Sequence, residues 1–159
     1  MIDPGAMNVT LLNLIESNDY YIRGTLLTHT HESHSNGLKT LRKIYDGEIY
    51  AAVDTVLDIE CTDISDKKTV EICGFPVTVI PIQGHSSDSL VYVIGDYMFT
   101  GDTFSAGTLG ATPNEYAREL LKEEIHKKIL SIDRNFLIFP GHGSPSTLDA
   151  ERTTNPLFA

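Results

Sequence analysis

The stretch that decides the fold is Leu26-Leu27-Thr28-His29-Thr30-His31-Glu32-Ser33-His34. Ile22 to Thr28 reads as a strand, and it runs straight into His29. Three imidazoles then fall within six residues. The end of a strand in an α/β domain is where ligand sites collect. A loop lets rings two and five positions apart approach an ion from one side.

The same pattern repeats along the chain. Gln83-Gly84-His85-Ser86 follows a strand ending at Ile80 and Pro81, and Phe99-Thr100-Gly101-Asp102 follows another. Phe139-Pro140-Gly141-His142-Gly143 follows a last short strand, Phe136 to Phe139. Any one of these histidines reads equally well as a surface or capping residue. Five of them with Asp102, behind four separate strands, point to convergence on a metal. Neutral imidazole and carboxylate suit zinc or iron, and no thiolate lies nearby. His126 falls inside a helical pattern and is assigned to a solvated face.

The remaining elements frame these loops. Asp3-Pro4-Gly5 is a turn. A helix is expected from Asn8 to Ser17, with Leu11, Leu12, Leu14 and Ile15 on one face. Ser35 is expected to cap a second helix that runs to Tyr45, and Glu48 to Ala51 forms a short strand. Val53 to Lys68 is acidic and without period, so it reads as irregular surface. Val70 to Cys73 and Phe75 to Ile80 read as a hairpin. Leu90 to Ile94 and Tyr97 to Thr100 read as another, with Gly95-Asp96 as a type I′ turn. Thr112-Pro113-Asn114-Glu115 signals a cap for a helix to about Leu130. Strands alternating with helices indicate a layered α/β domain.

The 159 residues fit one domain, and the net charge of −10 disfavours a nucleic-acid partner. No apolar run approaches the ~20 residues of a membrane helix. The N-terminus lacks the basic and apolar segments of a secretion signal, so a cytoplasmic protein is expected. Cys61 and Cys73 are expected to be free thiols.

Taken in order, these pieces resemble the metallo-β-lactamase fold hydrolases, and within them the glyoxalase II-like branch. The matching residues are Ile2-Asp3-Pro4-Gly5-Ala6, Leu26 to His31 with His34 and Gly37, Gly84-His85-Ser86, Phe99 to Thr103, and Pro140 to Gly143. The tail Ser146-Thr147-Leu148, Glu151-Arg152 and Asn155-Pro156 is similar to small members of that branch. The resemblance implies an αββα sandwich with a binuclear site at one edge. It implies that His29, His31 and His85 hold one ion, that His34 and His142 hold a second, and that Asp102 bridges them. Asp102 and His34 are the residues expected to work in catalysis. One or two zinc ions, or iron, would activate water to attack the carbonyl of a small thioester or ester. Asp102 stands where β-lactamases carry Cys or Ser, and His31 where flavodiiron proteins carry Glu, which argues against both branches.

The chain departs from the family pattern in two places. Ser33 stands where the family has an aspartate that ligates the second metal. The chain also begins at the Asp-Pro-Gly turn, whereas family members place two or three strands before it. The expectation is therefore a sandwich lacking its first strands, with an exposed edge that favours a homodimer. Three functions follow: a zinc hydrolase, a mononuclear-iron persulfide dioxygenase-like enzyme, or a metal-binding remnant with impaired catalysis.

Overall fold

In the computed structural model, which describes residues 1–158, Asn8 caps helix α1 (Val9–Ser17) by accepting the Leu11 N–H. Strand β1 (Gly24–Leu26) leads into the histidine loop, a single helical turn α2 (Glu32–Ser35) and helix α3 (Leu38–Ile44). Ten strands follow before the next helix of the sandwich. The first four are β2 (Glu48–Ala51), β3 (Thr55–Val56), β4 (Ile59–Glu60) and β5 (Thr62–Asp63). The next four are β6 (Thr69–Ile72), β7 (Phe75–Pro81), β8 (Leu90–Ile94) and β9 (Tyr97–Gly101). The small hairpin β10 (Phe104–Ser105) and β11 (Thr108–Leu109) precedes helix α4 (Glu115–Ile125), which continues as a π-helical turn, His126–Leu130. The last elements are β12 (Leu137–Pro140), β13 (Ser146–Thr147) and α5 (Leu148–Thr154).

Two sheets form the middle of the molecule. The first is parallel, in the order β1-β2-β5, and the second runs β13-β12-β9-β8-β7-β6. Strands β9 and β12 pair in parallel, and the other neighbours in the second sheet are antiparallel. Leu26, Tyr50 and Ile64 pack between the sheets against Val77, Val79, Leu90 and Tyr92. Ala117, Leu121 and Ile125 recur every four residues of α4, which gives a buried stripe. That stripe meets Val91, Met98 and Ile138 on the outer face of the second sheet. On the other side Leu38 of α3 packs on Leu27 and Ile49, while Leu41 meets Ile15 of α1. The order helix, sheet, sheet, helix is the expected αββα sandwich.

One buried bond ties the sheets where the site begins. Tyr92 is fully enclosed, and its hydroxyl donates to the Leu27 carbonyl at 2.6 Å. An enclosed hydroxyl left unpaired would cost roughly 1–3 kcal/mol, so this bond helps fix the end of β1 over β8.

Local readings are corrected at several points. Ile22 to Thr28 narrows to β1, because Leu27 and Thr28 turn from strand pairing to bonds with Tyr50 and Asp3. Leu14 faces solvent, one position off the buried stripe of α1. Ser35 is not a cap: it lies buried in α2, its Oγ donating to the Thr30 and His31 carbonyls. Asn114, not Thr112, caps α4, accepting the Ala117 N–H at 2.9 Å. Val53 to Lys68 is not simply irregular surface. It holds β3, β4 and β5, and buries Val56, Cys61 and Ile64. The turn types also differ. Cys73 and Gly74 both have positive φ, as type I′ requires, whereas Gly95 alone does in the second hairpin. The tail forms helix α5, capped by Thr147. His126 is exposed, and both cysteines are free, Cys61 buried and Cys73 exposed.

Candidate metal centre

The loops after β1, β7, β9 and β12 meet at one end of the sandwich. His29 and His34 are buried at the floor of the cluster, while His31 and His142 are exposed. His85 Nε2 lies 3.2 Å from His29 Nε2 and 3.1 Å from His31 Nδ1. Tetrahedral ligands ~2.1 Å from zinc would stand about 3.4 Å apart, close to these separations.

Proton accounting shows what belongs between those rings. Asp3 accepts the Thr28 hydroxyl at 2.7 Å, so Thr28 Oγ1 is free to accept from His29 Nδ1 at 3.1 Å. His85 Nδ1 donates to the Ala111 carbonyl at 2.7 Å. In their neutral forms both rings carry the proton on Nδ1 and turn a bare Nε2 toward the other. Two lone pairs facing each other repel, and a cation between them removes the conflict. Burial, helped by the neighbouring imidazoles His34, His85 and His31, pulls His29 down to about 4, which keeps it neutral and able to ligate.

The second half of the cluster shows the same preference for positive charge. His34 Nδ1 contacts Asp3 Oδ2 at 2.8 Å. Its buried Nε2 has no hydrogen-bond partner among the described residues, although Asp102 Oδ1 is 3.3 Å away. Burial opposes a charge on this ring, but the carboxylates of Asp102 and Asp3 outweigh it and raise His34 to about 9. A proton held that firmly marks a position that favours a cation. His142 Nδ1 contacts both Asp102 oxygens, at 2.8 and 3.0 Å. Burial raises Asp102, but His34 and His142 hold it well below the usual carboxylate range. The ligand atoms of His29, His31 and His85 lie within 4.8 Å of one another, as do those of His29, His34 and Asp102. His29 therefore links the two groups, and His142 joins through Asp102. Glu32 and Ser33 are exposed, and Glu32 belongs to neither group.

Two glycines make this convergence feasible. Gly84 has φ +121°, and a Cβ there would stand 2.5 Å from Leu121 Cβ and 2.6 Å from the Ala117 carbonyl of α4. The His85 loop thus rests directly on α4. A Cβ at Gly141 would stand 2.3 Å from His34 Cε1 and 2.7 Å from Asp102 Oδ1, so only hydrogen fits beneath His142.

Several supporting residues were not singled out by the sequence reading. Asp3 accepts the Thr28 N–H and hydroxyl and contacts His34, so one carboxylate orients rings in both halves. Asp88 accepts the Thr30 N–H at 2.8 Å and fixes the backbone between His29 and His31. The Ala111 carbonyl orients His85, and main-chain groups leave no trace in residue type. Asp3 itself holds φ 48°, an unusual conformation for a residue that is not glycine.

The layered fold carries an imidazole–carboxylate cluster able to hold metal, and the chain is similar to proteins named as metallo-hydrolases. A probable metallo-hydrolase of Streptococcus pyogenes is 25% identical over 186 residues, covering 99% of this chain and 80% of that protein. The hydroxyacylglutathione hydrolase GloC of Haemophilus influenzae is 25% identical, covering 98% and 85%. A probable polyketide biosynthesis zinc-dependent hydrolase of Bacillus velezensis is 26% identical, covering 89% of this chain and 65% of that protein. Among solved structures, the BLEG-1 B3 metallo-β-lactamase superposes with a TM-score of 0.89 at 23% identity, covering 99% and 87%. TTHA1623 in a di-iron-bound form superposes at 0.78 with 25% identity, covering 98% and 87%. No protein-family profile matches the chain. The chain has the metallo-β-lactamase fold and is similar in sequence to hydroxyacylglutathione hydrolase-like proteins at modest identity. Among the described residues, no helix is long and apolar enough to cross a membrane.

Proposed function

We propose that this chain is a metal-dependent hydrolase that cleaves a small thioester or ester. The observation that carries the proposal is the pair of facing Nε2 atoms of His29 and His85, 3.2 Å apart, with His31 Nδ1 beside them. His29, His31 and His85 would hold one ion. His34 and His142 would hold a second, with Asp102 between the two. A divalent cation held by these residues would lower the pKa of water to near neutrality and polarise a carbonyl.

The chain's own groups do the rest. Asp3 keeps the His34 ring turned toward the site, and Thr28 and Ala111 do so for His29 and His85. A recess of about 300 Å³ opens beside Asp102 and is lined by Phe104, Ser105, Leu109, His142 and Gly143. It would take the acyl part of the substrate. The Haemophilus relative's named substrate, a hydroxyacylglutathione, supports a thioester.

A second reading, iron-dependent sulfur oxygenation, is favoured by Ser33. With no carboxylate there, the better-supplied half is a histidine set with Asp102, a donor type that iron also accepts. Elemental analysis of the purified chain, run beside thiol release from acyl-thioesters, separates the readings. Zinc with thiol release is expected. One iron per chain and no thiol release would select the oxygenase, and little metal of any kind would mark an impaired remnant.

A further inference from the structure

The catalytic reading leaves one buried acid without a role. Glu151, on α5, is 3% exposed, and its carboxylate accepts hydrogen bonds from three groups. The Gly107 N–H lies 3.2 Å from Oε2 and 3.4 Å from Oε1. The Ser146 hydroxyl donates to Oε1, and the Asn155 amide donates to Oε2 at 2.6 Å. Three donors on one enclosed carboxylate make a fully satisfied network, the kind that holds its members in one arrangement.

What it holds is the tip of hairpin β10–β11. Both feet of that hairpin stand in the candidate metal centre. Asp102 precedes β10, and Ala111, whose carbonyl orients His85, follows β11. Gly110 packs so closely on the Asp102 carbonyl that a Cβ there would be 1.7 Å from it. The hairpin also touches the His142 loop. The Ala106 N–H reaches the Ser144 carbonyl at 3.5 Å, and a Cβ on Gly143 would be 2.7 Å from Ser105 Oγ. Ser146, at the far end of the His142 loop, is itself a Glu151 partner. One carboxylate therefore clamps the hairpin that carries Asp102 and supports His85 to the loop that carries His142.

We infer that Glu151 is a positioning residue for the metal centre, acting through hairpin β10–β11 and the His142 loop rather than by contact with an ion. The inference rests on the metal-hydrolase reading of the same site. Glu151→Gln keeps the shape but sets an amide N–H₂ against donors. Ser146→Ala removes one donor and leaves the carboxylate.

The test measures zinc affinity by chelator competition and the visible spectrum of the cobalt-loaded protein, with circular dichroism to confirm folding. Outer partners of metal ligands typically alter affinity about 10–100-fold. Glu151 stands one contact further out, so a loss of about tenfold is expected for Glu151→Gln, with a shifted cobalt spectrum. Ser146→Ala should move both in the same direction by less. A merely structural role would lower the melting temperature and leave affinity and spectrum of the folded protein alone. A folded Glu151→Gln chain with wild-type affinity and spectrum overturns the inference while leaving the hydrolase reading intact. Should Glu151→Gln not fold, Ser146→Ala decides alone: a weaker site supports the clamp, and an unchanged site overturns it. A wild-type chain that takes up no metal overturns the hydrolase reading, and this inference with it.

Discussion

Ser33 is exposed, and its hydroxyl offers a dipole where a dication would favour a full negative charge. Ser33→Asp is expected to raise occupancy of the ion beside His34 and His142, with a gain in affinity larger than the ~10–100-fold of outer contacts. Zinc per chain and thioester hydrolysis, measured on the same preparations, check it. Unchanged zinc would mean that residue 33 does not face the site. Asp102 sits between the two halves, so Asp102→Ala should strip metal from the chain, and full metal content after that change would sink its assignment. The six ligand candidates were legible because each follows a strand, where a histidine or aspartate stands out. Asp3 and Asp88 were not, because their work is a hydrogen bond to a partner 25 to 58 positions away. Residue type does not encode such a pairing.

At the scale of elements, α4 is the anvil for the His85 loop. Gly84→Ala would place a Cβ against Leu121 and the Ala117 carbonyl at a φ that side chains resist. Strain of this kind costs of order 1–3 kcal/mol, and about 2–12 °C of melting temperature would go with it. Calorimetry checks the expectation, and an unchanged midpoint would show that the loop does not bear on the helix. In the opposite sense, Asp58 is exposed at φ 65° in the two-residue turn between β3 and β4. Asp58→Gly should raise stability by about 0.5–1 kcal/mol, since glycine takes that conformation freely. Denaturant unfolding would record it as a higher midpoint with an unchanged slope. Elements with a clear period were legible, including α1, α4 and both hairpins. Strands β3 to β5 were not, because two residues carry no alternation and the acidic side chains around them read as surface. Ser35 misled for a similar reason: a serine ahead of apolar positions signals a cap whether or not it turns inward.

For the whole molecule, ligand binding and folding are one equilibrium. Zinc at a hundred times its Kd should add about 2.7 kcal/mol to stability, or roughly 5–10 °C for a domain of this size. A chelator should return the melting temperature to its starting point. A curve indifferent to both would argue against an ion in the native state. The layered architecture was legible from the order of elements. The partition into three parallel strands against six was not, because it depends on pairings between distant segments such as β9 with β12 and β2 with β5.

The candidate ligands are divided between the two sheets. The loop after the first sheet's β1 supplies His29, His31 and His34, and loops of the second sheet supply His85, Asp102 and His142. An ion bound across them would act as a shear pin. Slippage of one sheet past the other would load metal–ligand bonds before it loaded the apolar contacts behind them. The sandwich would then resist sliding most at the end where its chemistry takes place.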